Sequence, residues 1–223
     1  MKSRQTDMCR AFAVLSCVLL LNTAMAARQP VTAPDVNLGS ALGKTPNETR
    51  GQRIYERQCQ QCHQPDGTGS AAQKAPALAG QQYEYLVKQI VDFLDEERVN
   101  STMHQQLARS GMNNATSIAD VVGYVANLPR NPAPQQGPGT ALAQGKSIYE
   151  GYCASCHGRT AEGIGDLWVP NLRGQHYSYL VDQMLRMAKT QRANISEDLH
   201  RMFTTYSEEE FQAVADYLTR WNP

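Results

Sequence analysis

The chain has 223 residues, of which 41% are hydrophobic and 19% are charged, with 21 basic side chains against 21 acidic ones. This length suffices for one large domain or two small ones. The balanced charge gives no indication of binding to nucleic acid or of a strongly basic membrane-binding face.

The first 49 residues are predicted to contain no part of the folded core. Basic residues open the chain, the apolar stretch Ala11–Leu21 follows, and small residues at Ala24 and Ala26 occupy the positions that a signal peptidase reads. The apolar stretch is short for a permanent membrane span. We therefore expect residues 1–26 to be a cleaved secretory signal, with an uncleaved N-terminal anchor as the alternative. Residues 27–49 are polar, rich in proline and without a helix or strand period, which favours a flexible leader.

A Cys-x-x-Cys-His motif occurs twice. It consists of Cys59, Cys62 and His63, and again of Cys153, Cys156 and His157. This pattern attaches a c-type haem, because two thiols on one helical turn each form a thioether with a vinyl group and the histidine binds the iron as proximal ligand. A zinc ribbon would instead pair two Cys-x-x-Cys motifs at roughly 15–20 residues. After signal removal, the remaining cysteines all belong to the two motifs.

Sequence identities around the motifs recur at an offset of 94 residues, the distance from Cys59 to Cys153. So many identities at one offset indicate a duplicated domain. We expect a first domain at 50–128 and a second at 143–223, joined by the Pro/Gly-rich linker 129–142.

Both copies have apolar residues at helical spacing and almost no strand pattern. The second copy also has a good helix start at Ser207, with Glu210 three residues later as a capping box. The fold class is therefore all-α. Helices are predicted at 49–62, 83–97 and 118–128, and at 143–156, 177–189 and 207–220.

The doubled series of motifs, namely C-x-x-C-H, P-x-L-x-G-Q, Y-L-x-x-Q, R-x-N and a closing helix, resembles the diheme cytochrome c4 family from about residue 50 onward. The resemblance implies two tandem class I cytochrome c domains, each wrapped around a covalently bound haem c. It implies a soluble periplasmic electron carrier, with His63 and His157 as proximal ligands. Its expected partners are redox proteins: a membrane quinol-oxidising complex as donor and a terminal oxidase or reductase as acceptor. No nucleic acid and at most peripheral membrane contact are expected.

The family takes a methionine as the sixth iron ligand from the segment after R-x-N. In the first copy this implies Met103, with Met112 as a local competitor. In the second copy, the position aligned with Met103 is Leu199; Met202 follows three residues later, and His200 matches a histidine of the first copy. We expect Met202 as the second sixth ligand, while His200 and an open site remain alternatives.

Other repeated side chains are candidates for hydrogen bonds to haem propionates, although packing and surface roles suit them equally. They are Tyr83 and Tyr177, Tyr85 and Tyr179, and Arg98 and Arg192. His176 is expected to be a surface residue or a neighbour of a propionate.

Two functions compete with that of a free carrier. A diheme redox enzyme, such as a peroxidase or a thiosulfate-oxidising cytochrome, needs an iron with an open or displaceable site, and Leu199 is the sequence feature in its favour. A dedicated electron-transfer subunit of one dehydrogenase or oxidase is the other.

Overall fold

A computed structural model describes residues 37–221, and in that range the chain is helical, with β structure limited to two isolated bridges. The predicted signal and most of the leader lie outside the described residues. The all-α fold class is confirmed. The first half contains α1 (Leu38–Leu42), α2 (Glu48–Gln58), α3 (Gln60–His63), α4 (Tyr83–Leu94), α5 (Ser101–Arg109) and α6 (Ala115–Ala126).

The second half repeats this order. It contains α7 (Leu142–Ile148), a π-helical turn (Tyr149–Cys153), α8 (Ala154–His157), a 3₁₀ turn (Gly165–Leu167), α9 (Tyr177–Ala188), α10 (Glu197–Phe203) and α11 (Glu208–Thr219). Helix α11 begins with the predicted capping box between Ser207 and Glu210. Helices α5 and α10 are additional to those predicted from the sequence.

Each domain is built on one close helix crossing, α2 against α6 in the first and α7 against α11 in the second. A glycine at each crossing permits this approach: a Cβ on Gly51 would lie 2.0 Å from the carbonyl oxygen of Asp120, and one on Gly145 would lie 2.0 Å from that of Ala213. Any larger residue forces the helices apart. The repeated glycine thus marks the packing contact on which each domain is built.

The two domains have separate hydrophobic cores. The first is centred on residues with little or no exposure, including Tyr55, Val87 and Ile118, and the second includes Tyr149, Val214 and Leu218. Separate cores fit a duplicated domain, because each copy buries its own apolar surface.

Part of the segment predicted as a flexible leader is folded. Asn37 caps α1 by accepting a hydrogen bond from the Ser40 amide, and Ala41 is fully buried. Helix α1 packs against α4 and α6. The short apolar run that includes Leu38 and Leu42 explains this packing, since both side chains lie against the first core.

The proline-rich linker is also fastened to the second domain. The Tyr177 amide donates to the Gln135 carbonyl at 2.9 Å, and Arg220 Nη2 donates to the Gly137 carbonyl at 2.8 Å. Within residues 37–221, no helix is long and apolar enough to cross a membrane.

Candidate haem sites

The structure places each Cys-x-x-Cys-His motif at the end of the helix that forms the domain's close crossing. Cys59 follows α2, and Cys62 and His63 lie on the single turn of α3. In the second motif, Cys153 ends the π-helical turn that follows α7, and Cys156 and His157 lie on α8. In both motifs the first cysteine is half-buried and the second is exposed. The two thiols of each motif thus stand on adjoining turns beside their histidine.

A buried tyrosine fixes the backbone of each motif. The Tyr55 hydroxyl donates to the Gln64 carbonyl at 2.6 Å, and the Tyr149 hydroxyl donates to the Gly158 carbonyl at 2.7 Å. Both acceptors directly follow the motif histidine. The repeated tyrosine therefore holds the chain where it leaves the proximal histidine.

The first thiol of each motif is poorly suited to thiol–disulfide exchange. Burial and the neighbouring Cys62 raise the pKa of the Cys59 thiol to about 12, and burial with Cys156 raises the pKa of the Cys153 thiol to about 11. Redox-active dithiols have the opposite property, a thiol pKa below the ordinary value. The motifs therefore do not have the electrostatic surroundings of a redox dithiol.

Both motif histidines are oriented by a backbone carbonyl. His63 Nδ1 lies 2.9 Å from the Pro76 oxygen, and His157 Nδ1 lies 3.0 Å from the Pro170 oxygen. Burial lowers the pKa of each imidazole, against a smaller opposite effect of the carbonyl. Each ring is thus neutral, carries its proton at Nδ1 and leaves Nε2 with a lone pair. This is the arrangement that a metal-binding histidine requires.

In the first domain, Met103 and Cys59 pack against the same hydrophobic core. Asn100 caps α5 by accepting from the Met103 amide at 3.1 Å, which fixes Met103 in the first turn. The competitor Met112 is 2% exposed and belongs to the core itself.

In the second domain, Leu199 takes the place of Met103. Ser196 caps α10 by accepting from the Leu199 amide, as Asn100 does for Met103. The histidine after each confirms the register. His104 Nδ1 lies 3.0 Å from the Phe93 oxygen, and His200 Nδ1 lies 2.8 Å from the Met187 oxygen, the equivalent carbonyl.

Neither of these histidines is an exposed loop residue. They are half-buried on α5 and α10, and each ties its helix to the end of the preceding one. His104 makes this contact in the first domain, where Met103 is the candidate ligand. The contact of His200 is therefore a structural one that both domains share.

Met202 borders a cavity beside the second motif. Its volume is about 20 Å³, room for about one water molecule, and over residues 37–221 its wall includes Cys153 and Met202 but not Leu199 or His200. Met184 of α9 lies in the same wall, a second thioether that sequence reasoning missed. Its position on the apolar face of a predicted helix could have identified Met184 as a candidate ligand.

Comparison with known proteins agrees with these two sites. Residues 48–129 match the "Cytochrome c" family model, and residues 140–218 match "Cytochrome C oxidase, cbb3-type, subunit III". The chain is 31% identical to cytochrome c4 of Thiocapsa roseopersicina over 72% of this chain and 85% of the relative. It belongs to the diheme cytochrome c4 family. It is also 33% identical to a "Thiosulfate dehydrogenase electron acceptor" of Stutzerimonas stutzeri, over 75% of this chain and 84% of the relative.

Solved structures give the same fold. Reduced cytochrome c4 from Pseudomonas stutzeri superposes with a TM-score of 0.71 at 21% identity, covering 80% of this chain and all of that one. Thiosulfate dehydrogenase TsdBA from Marichromatium purpuratum superposes with a TM-score of 0.69 at 25% identity, covering 79% of this chain and 40% of that one. The chain is accordingly a diheme electron-transfer cytochrome that carries two covalent haem c groups.

In this diheme cytochrome, repeated residues join the two domains reciprocally. The side chain of Gln81 bonds both the amide and the carbonyl of Asn171, at 2.8 and 2.7 Å. Gln175, its repeat partner, bonds both the amide and the carbonyl of Ala77, at 2.9 and 3.0 Å. The glutamine of each P-x-L-x-G-Q motif thus binds the backbone of the equivalent residue in the other domain, as in the self-complementary contacts of a two-fold dimer.

Two buried arginines extend this interface. Arg98 donates to the Tyr179 hydroxyl at 2.8 Å, and Arg192 donates to the Tyr85 hydroxyl at 2.9 Å. Both guanidinium groups also bond Gln183, at 2.6 Å from Arg98 and at 2.9 Å from Arg192. Two of the three repeated pairs named as propionate candidates, Tyr85 with Tyr179 and Arg98 with Arg192, thus meet at the domain boundary.

The buried guanidinium groups fit a neighbouring anion. Burial alone would raise the pKa of the Tyr85 hydroxyl, but the charges of Arg192 and Arg98 outweigh it and lower that pKa. The carboxylate beside the network, Asp92, forms an ion pair with Lys88. Since buried charges are normally paired, the two guanidinium groups suit the propionate carboxylates of haem.

His176 occupies the interface, and its assignment to the surface is wrong. It is 7% exposed. Its Nε2 lies 2.9 Å from the Thr68 oxygen of the first domain, and its Nδ1 accepts from the Gln135 amide of the linker at 3.0 Å. Burial lowers the pKa of this imidazole, which is therefore neutral and bridges three parts of the chain.

Proposed function

We propose that the protein is a soluble periplasmic carrier of single electrons between respiratory redox partners. When bound, each haem supplies an iron that alternates between Fe(III) and Fe(II). The observation that carries the proposal is the pair of Cys-x-x-Cys-His motifs with carbonyl-oriented imidazoles, set in two domains that share a buried interface. The interface keeps the two domains in one fixed relation, which electron exchange between two haems requires.

In this proposal Cys59, Cys62, Cys153 and Cys156 form the thioethers, and His63 and His157 are the proximal ligands. The sixth ligands are Met103 and Met202. A thioether ligand favours the reduced iron and raises its potential, which suits a carrier on the oxidising side of a respiratory chain. The shared wall of Cys153 and Met202 supports Met202 over His200.

The ligand assignment is tested by near-infrared spectra of the oxidised holoprotein. Met202→Ala is expected to remove the methionine–iron charge-transfer band of one haem and leave that of the other. His200→Ala and Met184→Ala are matched controls on α10 and in the cavity wall, and both are expected to keep the two bands. Retention of both bands in Met202→Ala, or rapid cyanide binding in His200→Ala alone, would refute Met202 as ligand.

The carrier function is tested by a redox titration followed in the visible range. Two reversible one-electron steps, with no rapid binding of cyanide or peroxide by the oxidised protein, are the expected result. Rapid binding at one haem would instead favour the diheme enzyme. The described cysteines all belong to the haem motifs, so a cysteine-ligated version of that enzyme has no candidate ligand within residues 37–221.

A second candidate is the electron acceptor of one dehydrogenase. Its support is the 33% identity to the protein from Stutzerimonas stutzeri that is named as the acceptor of thiosulfate dehydrogenase. Stopped-flow mixing of the oxidised protein with a thiosulfate dehydrogenase and thiosulfate tests it. Reduction at the dehydrogenase turnover rate supports this candidate, and reduction no faster than without enzyme excludes it.

A further inference from the structure

A groove lined by three arginines lies beside the first haem motif. It is open to solvent and has a volume of about 330 Å³, and its wall contains Arg50, Arg53 and Arg57 together with Ile54, Gln58, Ser110, Met112 and Ser117. All three arginines are exposed and stand on α2 at positions i, i+3 and i+7, which places them on one face over about 10 Å. The groove is thus a positively charged strip.

The charge of this strip is largely uncompensated. Arg50 is bonded to the buried Asp120, whereas within residues 37–221 no ion pair joins Arg53 or Arg57 to a carboxylate. No carboxylate stands in the groove wall over the same residues. Two guanidinium groups are therefore available to an external anion.

The strip ends at the haem attachment point. Gln58 lines the groove and directly precedes Cys59, and its carbonyl accepts from Gln106 Nε2 of α5 at 2.9 Å. The groove is therefore held between the helix that leads to the first cysteine and the helix that holds Met103. A partner seated there lies next to the first haem.

The second domain lacks this strip. The register set by the glycine crossings places Gln144, Ser147 and Gly151 opposite the three arginines, and the cavity beside the second motif has Glu210 in its wall. Its exposed surface near the second motif is apolar instead, since Tyr152 is 60% exposed and Leu167 is 63% exposed. The duplication has thus produced two haem sites with different surroundings.

From this contrast we propose that the α2 strip is the docking site for the acidic surface of a redox partner protein, which exchanges electrons with the first haem. Neighbouring carboxylates of a protein surface match the two available guanidinium groups of Arg53 and Arg57, which lie about 6 Å apart along the helix axis, better than one small anion does. Local patches of this kind steer association even when net charge is near zero. This inference rests on the proposed carrier function.

Binding of a short poly-L-glutamate peptide to the oxidised holoprotein tests the docking site. Affinity and the hyperfine-shifted haem methyl NMR signals are recorded at rising ionic strength. The wild type is expected to bind in a salt-dependent manner with shifts confined to the first haem. Arg53→Gln/Arg57→Gln is expected to weaken binding by about 3- to 10-fold. Arg50 is left unchanged because its bond to Asp120 contributes to the fold.

Two further variants make the test specific. Arg159→Gln/Arg201→Gln removes the same charge from the second domain and is expected to leave the affinity unchanged. Ser147→Arg/Gly151→Arg is expected to create binding at the second haem, since both positions are exposed. Equal losses in the two arginine double variants, or equally tight binding of inorganic phosphate at the same ionic strength, would overturn the proposal.

Failure of this site is distinguishable from failure of the carrier function. The strip does not contact the motif histidines or Met103, so Arg53→Gln/Arg57→Gln is expected to keep both charge-transfer bands and both potentials. A carrier without this docking site shows normal redox titration and no specific binding. A protein that is not a carrier fails the redox titration itself.

Discussion

Met103 and Leu199 occupy equivalent positions, yet only one of them has a side chain that can bind iron. Both amides donate to the capping residue of their helix, and both are followed by a histidine with the same carbonyl contact. At this position the two domains therefore share the same local backbone structure and differ in the side chain. A protein ligand for the second iron would come from a different place in the domain, and our proposal for it is Met202, which lines the cavity beside Cys153.

At the residue scale, Met103→Ala is expected to remove the methionine–iron band of the first haem. Its potential should fall by a tenth or more of the ~0.8 V range that axial ligands span, because the thioether stabilises Fe(II). Spectroelectrochemistry measures both effects. Met112→Ala is the control: it should cost about 2–5 kcal/mol of stability as a core truncation and keep the band. If only Met112→Ala removes the band, Met112 is the ligand.

At the scale of elements, each domain depends on one glycine crossing. Helices α2 and α6 meet at Gly51, and helices α7 and α11 meet at Gly145, with a backbone carbonyl in the place that a Cβ would need. Tilted aromatic contacts lie beside both crossings, Tyr55 with Tyr124 at 5.7 Å and Tyr149 with Tyr217 at 5.9 Å between ring centroids. The crossing also positions each motif, since the first motif directly follows α2 and the second is joined to α7 by one π-helical turn.

Gly51→Ala is expected to destabilise the holoprotein by about 1–3 kcal/mol, because the new methyl group must displace the Asp120 carbonyl or separate the helices. Denaturant unfolding followed by circular dichroism measures the change. Gly151→Ala is the control, since a Cβ there meets nothing within 4 Å. It should leave stability unchanged or raise it by up to about 1 kcal/mol. Equal losses in both variants would show that the crossing is not the cause.

At the scale of the whole molecule, two kinds of contact join the domains. Most are made by residues that occur in both copies of the repeat, and one is made by His176, which occurs in the second copy alone. The glutamine contacts and the arginine–tyrosine pairs are reciprocal. His176 stands opposite Gln82 in the repeat and bridges Thr68 and Gln135 in its neutral form. The interface therefore includes one titratable group whose charged form it disfavours.

The holoprotein is expected to become less stable as the pH decreases below about 6.5, the ordinary pKa of histidine. Because burial lowers the pKa of folded His176, the unfolded chain binds the proton first, and stability is lost from that pH down to the folded pKa. Thermal unfolding between pH ~7 and pH ~5 measures this decline. His176→Gln, which introduces the residue type of Gln82, should make the decline shallower by roughly 1 kcal/mol or less. If stability declines equally steeply with decreasing pH in His176→Gln, His176 is not the group responsible for the decline.

Much of the fold was predictable from the repeat and from hydrophobic periodicity. Helix α4 was predicted at 83–97 and lies at Tyr83–Leu94, and α11 was predicted at 207–220 and lies at Glu208–Thr219. Helices α5 and α10 were not predicted, because they span only nine and seven residues and depend on caps such as Asn100 and Ser196. Helix α1 was interpreted as part of a flexible leader because its five residues are too few to show a helical period.

The amino-acid sequence by itself determined the haem chemistry, the duplication and the all-α class, because these depend on spacing within a few residues or on a constant offset. Only the tertiary structure decided which residues meet across the domains. It brought Gln81 to Asn171 and Arg98 to Tyr179, and it buried His176, which sequence reasoning had expected either at the surface or beside a propionate. Such contacts join residues far apart in the chain, and their partners are fixed by the packing of two complete domains. The local sequence pattern therefore does not predict these contacts.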